Sequence, residues 1–341
     1  MNRCLLGVAL LASLSSCTLL FEEPAKVANR DAGPDLAADA GLGDAGGELG
    51  PVLDITNGAA DSTGPTVIWD GQHYRLVWTS DEDAGKSVYA VVVDEARQPV
   101  VVTKSEGENP SPTAAWTGSA MAMAWIQEED MVSSVEFGLF DEELALVGEL
   151  STPSEGLEGL HFAPAIVPTG TQLGVAWTQL LGVSPAARLA RLDGDGGLIE
   201  SPSLIKDQVV NVVAAFAGTE YGMSWQAEVD DRPEVQFQRV TATGLPNGEP
   251  LTLSANARPA IGPRVTAADG DVAVVWQHID GTSSSVAFAV VEDGLTATAP
   301  LQLSGEGVEA RFPDIVWTGD TFGIAWVERR DEQLEVVFQE F

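Results

Sequence analysis

Residues Pro313 to Trp326 read PDIVWTGDTFGIAW, and their spacing of proline, glycine and tryptophan returns along the chain. The same unit is found at Pro65 to Trp78, Pro112 to Trp125, Pro164 to Trp177, Val212 to Trp225 and Pro263 to Trp276. The closing tryptophans lie 47, 52, 48, 51 and 50 residues apart. A period of this length marks a stacked or radial repeat, because one such unit cannot bury its apolar face without neighbours.

Within each unit the positions Trp, Trp minus two and Trp minus four are bulky, as in Trp225, Met223 and Tyr221. The positions between them are small, as in Ser224 and Gly222. Alternation with period two is a strand signal, since successive side chains point to opposite sheet faces. A strand with one bulky and one flat apolar face is covered on both sides, as in a β-propeller blade. Gly71, Gly118, Gly170, Gly218, Gly270 and Gly319 precede the strand and supply the positive φ of a tight hairpin. Proline opens five of the six units, which suits a strand start because proline lacks a ladder donor.

Two further strand-like runs follow each unit, for example SVYAVVVD (Ser87 to Asp94) and PVVVT ending at Thr103. One repeat is therefore four strands. The fold class expected is all-β, a six-bladed β-propeller of four-stranded antiparallel blades. The last repeat stops at Phe341 after its third strand, and PVLDIT (Pro51 to Thr56) matches the missing fourth. An N-terminal strand beside Leu334 to Gln339 is expected to complete the last blade and close the ring.

The chain divides into residues 1–16, 17–50 and 51–341. Met1 to Ser16 reads as a signal peptide, with Arg3 followed by an apolar run from Leu5 to Leu14 that is too short to span a bilayer. The run ends in Leu14-Ser15-Ser16-Cys17, which resembles the lipobox of bacterial lipoproteins. That resemblance implies lipidation of Cys17 and, with Thr18 following, an outer-membrane or cell-surface address. Residues 18–50 are rich in Ala, Asp and Gly without apolar period, and read as a disordered linker.

Without residues 1–16 the chain keeps all 51 acids and 16 of its 17 bases, a net charge of 16 − 51 = −35. Phosphate backbones attract basic surfaces, so nucleic acid is excluded as a partner. Such acidity favours a basic or cationic partner. The protein is read as a monomer that touches the membrane through its lipid alone.

In a propeller, the loops after the second strand and those joining blades share the face that binds. The first set carries Asp81, Glu82, Asp83, Glu128, Glu129, Asp130, Asp230, Asp231, Glu328 and Asp331. These acids read either as solvated turns or as a rim for a basic partner, with calcium a possible ligand of their oxygens. The blade-joining set supplies His161, Arg258, Arg264, Glu306, Glu309 and Arg311 as candidates for the channel mouth. Spacing suited to zinc is absent from the three histidines, His73, His161 and His278. The run Asp193 to Gly197 reads as a hairpin rather than a calcium loop, because no later acidic ligand follows. No catalytic residue, nucleophile elbow or phosphate-binding loop is found.

Over Pro51 to Phe341 the Pro, Trp-x-Gly turn and Ala-Trp strand end resemble propeller repeats of secreted bacterial lipoproteins, and more distantly the sialidase-like six-bladed superfamily. The aspartate-box pattern of that superfamily is absent. Two of the three tyrosines, Tyr74 and Tyr221, fall on strand faces expected to be buried, which does not suit a catalytic tyrosine. The expectation is a membrane-anchored, non-enzymatic binding or scaffolding propeller presenting one loop face to a protein or polysaccharide. The alternatives are a glycan-active, sialidase-like hydrolase or lyase using acids such as Glu306 and Glu309, and a structural envelope protein without a specific ligand.

Overall fold

The structure, a computed structural model, describes residues 55–56, 61–82, 85–93, 98–105, 110–129, 132–254, 258–281, 283–292, 297–305, 307–330 and 333–341. All of these except Ile55 and Thr56 belong to the compact unit Ala60–Phe341. The described residues contain twenty-three strands, β1 to β23, and no helix.

Each repeat forms one antiparallel sheet whose strands are in chain order. Blade 1 holds β1 (Ser62–Trp69), β2 (Tyr74–Glu82), β3 (Gly85–Val92) and β4 (Val100–Ser105). Blade 2 holds β5 (Thr113–Trp116), β6 (Met121–Glu129), β7 (Val132–Phe140) and β8 (Leu146–Ser151). Blade 3 is β9 (Leu160–Pro168), β10 (Leu173–Leu181), β11 (Ser184–Leu192) and β12 (Ser203–Asp207). Blade 4 is β13 (Val209–Phe216), β14 (Glu220–Val229), β15 (Arg232–Thr241) and β16 (Pro246–Thr252). Blade 5 is β17 (Ala260–Ala268), β18 (Asp271–Asp280), β19 (Ser283–Val291) and β20 (Leu301–Gln302). Blade 6 has β21 (Ala310–Trp317), β22 (Phe322–Arg330) and β23 (Gln333–Glu340). The six sheets follow one another around a ring, as in a propeller. The strand expected to complete blade 6 begins at Pro51, and residues 51–54 lie outside the described residues; Ile55 and Thr56 are in no strand.

The turn glycines adopt the conformation the repeat demands, with φ between 80° at Gly218 and 103° at Gly319. The prolines take a different place from the one expected. Pro112 stands directly before β5, as expected, but Pro65, Pro164, Pro263 and Pro313 sit inside the innermost strands; each of the five follows a residue with positive φ: Gly64, Ser111, Ala163, Gly262 and Phe312. Asn211 (φ 56°) holds that place before Val212. The pairing of first with second strand shifts register here, for example between Val210 and Val213 and between Arg311 and Asp314. This is a β-bulge, the one strand-interior site where a missing N–H is harmless.

Packing is directional. The tryptophan face of each of blades 2 to 6 lies on the small-residue face of the blade before it. Between blades 3 and 4, Tyr221, Met223 and Trp225 press on Ala176, Ala187 and Leu189. A Cβ at Gly174 would stand 2.7 Å from the Tyr221 ring, so the smallness of that position is required. Equivalent cores join blades 1 and 2, 2 and 3, 4 and 5, and 5 and 6. Among the described residues no such core joins blade 6 to blade 1.

Candidate functional site

The hairpins between second and third strands and the segments joining one blade to the next share one side of each sheet. That side is the loop face. Asp81, at the end of β2, pairs with Lys86 at 3.5 Å, an exposed contact worth little. Glu128 ends β6 opposite Ser133, and Asp230 and Asp231 form the turn of blade 4 with φ of 51° and 59°. Glu82 and Glu129 lie in β2 and β6, while Asp83, Asp130, Asp331 and Glu306 are outside the described residues. Among the described residues no group of three or more His, Cys, Asp or Glu side chains gathers as metal ligands would.

Two expected loop residues are instead buried beneath the tryptophans. His161 is 1% exposed, and its Nδ1 accepts the Trp177 indole N–H at 3.0 Å. Glu328, expected on the rim, is buried in β22, where its Oε1 accepts from Trp326 Nε1 at 2.9 Å. His278 does the same for Trp276, and the Gln236 side-chain oxygen for Trp225. Each meets the need of a buried indole N–H for an acceptor, a need left unmet at Trp125, whose buried Nε1 has no partner among the described residues. Because its Nδ1 accepts, His161 is neutral with its proton on Nε2. Burial, assisted by the Arg188 charge, pushes its pKa down to about 4. Burial likewise lowers that of His278.

Among the described residues, the channel-mouth candidates of blade 5 bond within their own surroundings. Arg258 donates to the Gln302 side chain at 3.3 Å, and the exposed Arg264 to its neighbour's carbonyl, Pro263 O, at 3.0 Å. Among the described residues two candidates of blade 6 meet: Glu309 accepts from Arg329 Nε at 2.7 Å and lies 3.5 Å from Arg311. A buried cluster that the sequence did not single out lies in blade 4. Glu234 is paired with Arg232 at 2.9 Å and accepts from the Ser254 hydroxyl. Ser254 in turn accepts the Val235 backbone N–H, repeating the role of Ser154 toward Val135 and of Ser304 toward Val286.

The loop face also holds an apolar groove of about 430 Å³ between blades 2 and 3, lined by Val132, Leu157, Glu158, Gly159, Leu160, Leu180 and Gly182. Its floor is rigid. Gly159 has φ 98°, and a Cβ there would stand 2.3 Å from the Leu180 carbonyl oxygen. Gln179 Nε2 donates to Glu158 O at 2.6 Å, and the His161 N–H to Ser133 Oγ at 2.6 Å. Val132 at the groove edge is 65% exposed, and the adjoining hairpin adds Leu181 (55%) and Val183 (76%). Exposed aliphatic residues gathered on two adjacent hairpins, with the acids Glu155 and Glu158 beside them, differ from the scattered ones normal to a surface.

The Asp193 run is a hairpin turn, as expected. Asp193 Oδ1 accepts the N–H groups of Asp195 and Gly197 at 3.0 and 2.8 Å. On the opposite side of the sheets, His73 lies in the turn of blade 1. There Asp70 accepts the N–H groups of Gln72 and His73 at 2.8 and 2.7 Å, and Arg75 Nε at 2.7 Å. Burial alone would raise the Asp70 pKa, but these hydrogen bonds outweigh it and hold it down at about 2. Arg75 then reaches blade 2, over the Trp116 ring at 5.0 Å and onto Glu142 O at 3.2 Å.

No protein-family model matches the chain, and no curated protein compared with it matches either. Among solved structures it is similar to a subtype N10 neuraminidase-like protein of A/little yellow-shouldered bat/Guatemala, with a TM-score of 0.53 and 10% identity over 82% of this chain and 92% of that one. It is also similar to a neuraminidase-like protein from A/bat/Guatemala, with a TM-score of 0.52 and 9% identity over 81% of this chain and 87% of that one. At such identity the likeness is one of fold: this chain is a six-bladed β-propeller, similar in fold to those neuraminidase-like proteins.

Proposed function

We propose that the protein is a lipid-anchored, non-enzymatic binding or scaffolding propeller of the bacterial cell envelope, presenting its loop face to another protein. The observation that carries this reading is the exposed apolar groove between blades 2 and 3, whose floor is held in place before any partner arrives. The acidic surroundings favour a partner segment that combines apolar and basic side chains. Cys17 would carry the lipid, and residues 18–50 would act as the tether. A flexible chain of that length has an end-to-end distance of roughly 30 Å, enough to lift the domain clear of headgroups.

The test places a photo-crosslinking residue at Val183 on the loop face or at Ser119 on the opposite face, in the protein anchored in its native envelope. One reproducible protein adduct from Val183 and none from Ser119 is the expected result. Equal adducts from both positions, or none from Val183, would overturn the reading. An activity on glycans is the second reading, favoured by the Glu309 carboxylate between Arg311 and Arg329. It requires release of sugar from a panel of fluorogenic glycosides, abolished in Glu309→Gln.

A further inference from the structure

The outermost strands of blades 2 and 4 carry the same irregularity. In blade 4, Arg239 pairs with Asn247 and Phe237 with Leu251. In blade 2, Leu139 pairs with Val147 and Phe137 with Ser151. The residues between these pairs on β8 and β16 have no ladder partner, so each strand bulges at the same place. Both bulges open on a glycine with φ 77°, Gly148 and Gly248.

The backbone favours glycine there, because glycine takes that φ without strain. It makes no such demand on the residue before. Blade 2 places Val147 at that position and blade 4 places Asn247. The difference is chemical. Asn247 and Gly248 are both exposed, and Gly248 has no side chain to shield its nitrogen. Glu220 Oε1 accepts from Asn247 Nδ2 at 2.9 Å, and Gln238 Nε2 donates to Gly248 O at 2.6 Å. The backbone nitrogen after an asparagine closes a five-membered ring on its side-chain carbonyl, and an intramolecular step of this kind needs no encounter. Asn211 is a contrast within the same blade. It is half-buried, donates to Gln226 Oε1 at 3.2 Å and precedes the β-branched Val212.

We propose that Asn247 is a self-modification site, converted without an enzyme to isoaspartate and aspartate. The Gly248 nitrogen gives its proton to water and bonds to Asn247 Cγ. The Cγ–Nδ2 bond breaks, and the amide nitrogen takes up a proton from water and leaves as ammonia. A succinimide ring remains. Water that breaks its bond from nitrogen to Cγ gives aspartate. Water that breaks the original peptide bond gives isoaspartate, with the chain rerouted through Cγ. One water is taken up and one ammonia released, with no change of oxidation state.

Either product sets a carboxylate against Glu220, where a hydrogen bond had been. Like charges at such a distance repel. Isoaspartate also lengthens the backbone at the bulge by one methylene. The outermost strand of blade 4 therefore loosens with time, whereas that of blade 2, with Val147, cannot react.

Peptide mapping of the full chain, kept folded at mildly alkaline pH, tests the site. Isoaspartate and aspartate are expected at Asn247, with Asn211 unchanged. Asn57 is also followed by glycine and lies outside the described residues; its conversion sets the length of the incubation. An Asn247 that keeps its amide while Asn57 converts would overturn the proposal. Conversion of Asn247 only after unfolding in urea would overturn it too. Amide hydrogen exchange reads the consequence. Asn247→Asp is expected to speed exchange along β16, and Glu220→Gln added to it to restore the parent rate. Exchange along β16 left unchanged by Asn247→Asp would overturn the loosening.

Discussion

Blade 4 on blade 3 and blade 1 beside blade 6 are built from the same pattern and end in opposite states. At the first, Tyr221 and Trp225 are sealed on Gly174 and Ala176; at the second, Tyr74, Val336 and Phe338 face solvent. Local sequence does not separate them, since both offer a tyrosine, a glycine and an alanine at matching positions. The difference is connectivity. A one-residue link, Gln208 between β12 and β13, holds blade 4 against blade 3, whereas blades 6 and 1 stand at opposite ends of the chain. Packing of a repeat protein is a sum of neighbour terms, and the term between the ends carries the full loop-closure entropy.

The largest effects should come from the sealed interfaces. Trp225→Ala removes a fully buried indole and is expected to cost about 3–5 kcal/mol in urea unfolding. Phe237→Ala belongs to the same class. The sharp comparison is Phe338→Ala, which occupies the same register in blade 6. In a closed ring its cost matches that of Phe237→Ala; at an open seam it stays within about 0.5 kcal/mol, as for other surface changes.

Next come the pins that run across an interface on the side opposite the loop face. Arg75 is almost wholly buried, and Asp70 is its only carboxylate contact among the described residues. Asp70→Ala leaves the guanidinium beside Trp116 with carbonyl partners alone, and should cost about 1–3 kcal/mol. Because the Asp70 pKa is held at about 2 against an ordinary 3.8, its contribution is present above pH 4 and lost as the pH falls through 2. The variant should therefore lose part of the acid sensitivity of the parent below pH 4.

Much of this was legible in the sequence because it is local. The tryptophan period, the two-faced strand and the positive-φ glycines each need only a few consecutive residues. The bulge was not legible, because its residue ranges over Gly, Ser, Ala, Asn and Phe and only the proline after it recurs, in five of the six blades. His161 was read as a loop residue because the first strand of blade 3 was expected to begin at Pro164, and Glu328 because the second strand of blade 6 was expected to end soon after its tryptophan. In fact β9 begins at Leu160, and β22 runs four residues past Trp326, to Arg330. A usable signal was present: Trp276-x-His278 and Trp326-x-Glu328 share a spacing that places an acceptor on the tryptophan's own face of the strand. The groove depends on two hairpins and a blade-joining segment distant in sequence, so no single stretch announces it.

A milder test of the sealed regions uses pH alone. His161 lies at the interface of blades 2 and 3 with its pKa lowered to about 4 from an ordinary 6.5. Between these values the unfolded chain binds a proton that the folded chain refuses. Stability should therefore be complete above pH 6.5 and decline as the pH falls toward 4, before Asp70 titrates. Urea midpoints across that range check it, and His161→Gln, which keeps an acceptor near Trp177, should flatten the slope.

The smallest effect on stability is expected where the proposed function is strongest. Val183 is 76% exposed and Leu181 55%, so replacing both with serine removes little buried area and should move the urea midpoint by less than about 0.5 kcal/mol. Crosslinking from the loop face in the native envelope should nevertheless be lost. That separation is what distinguishes a docking groove from a seam. Apolar residues awaiting a blade of the same chain should appear in the stability of the isolated protein; those awaiting another protein should not. If Leu181→Ser with Val183→Ser destabilised the chain as Phe237→Ala is expected to, the groove would be part of the fold, and the binding reading would lose the observation that carries it.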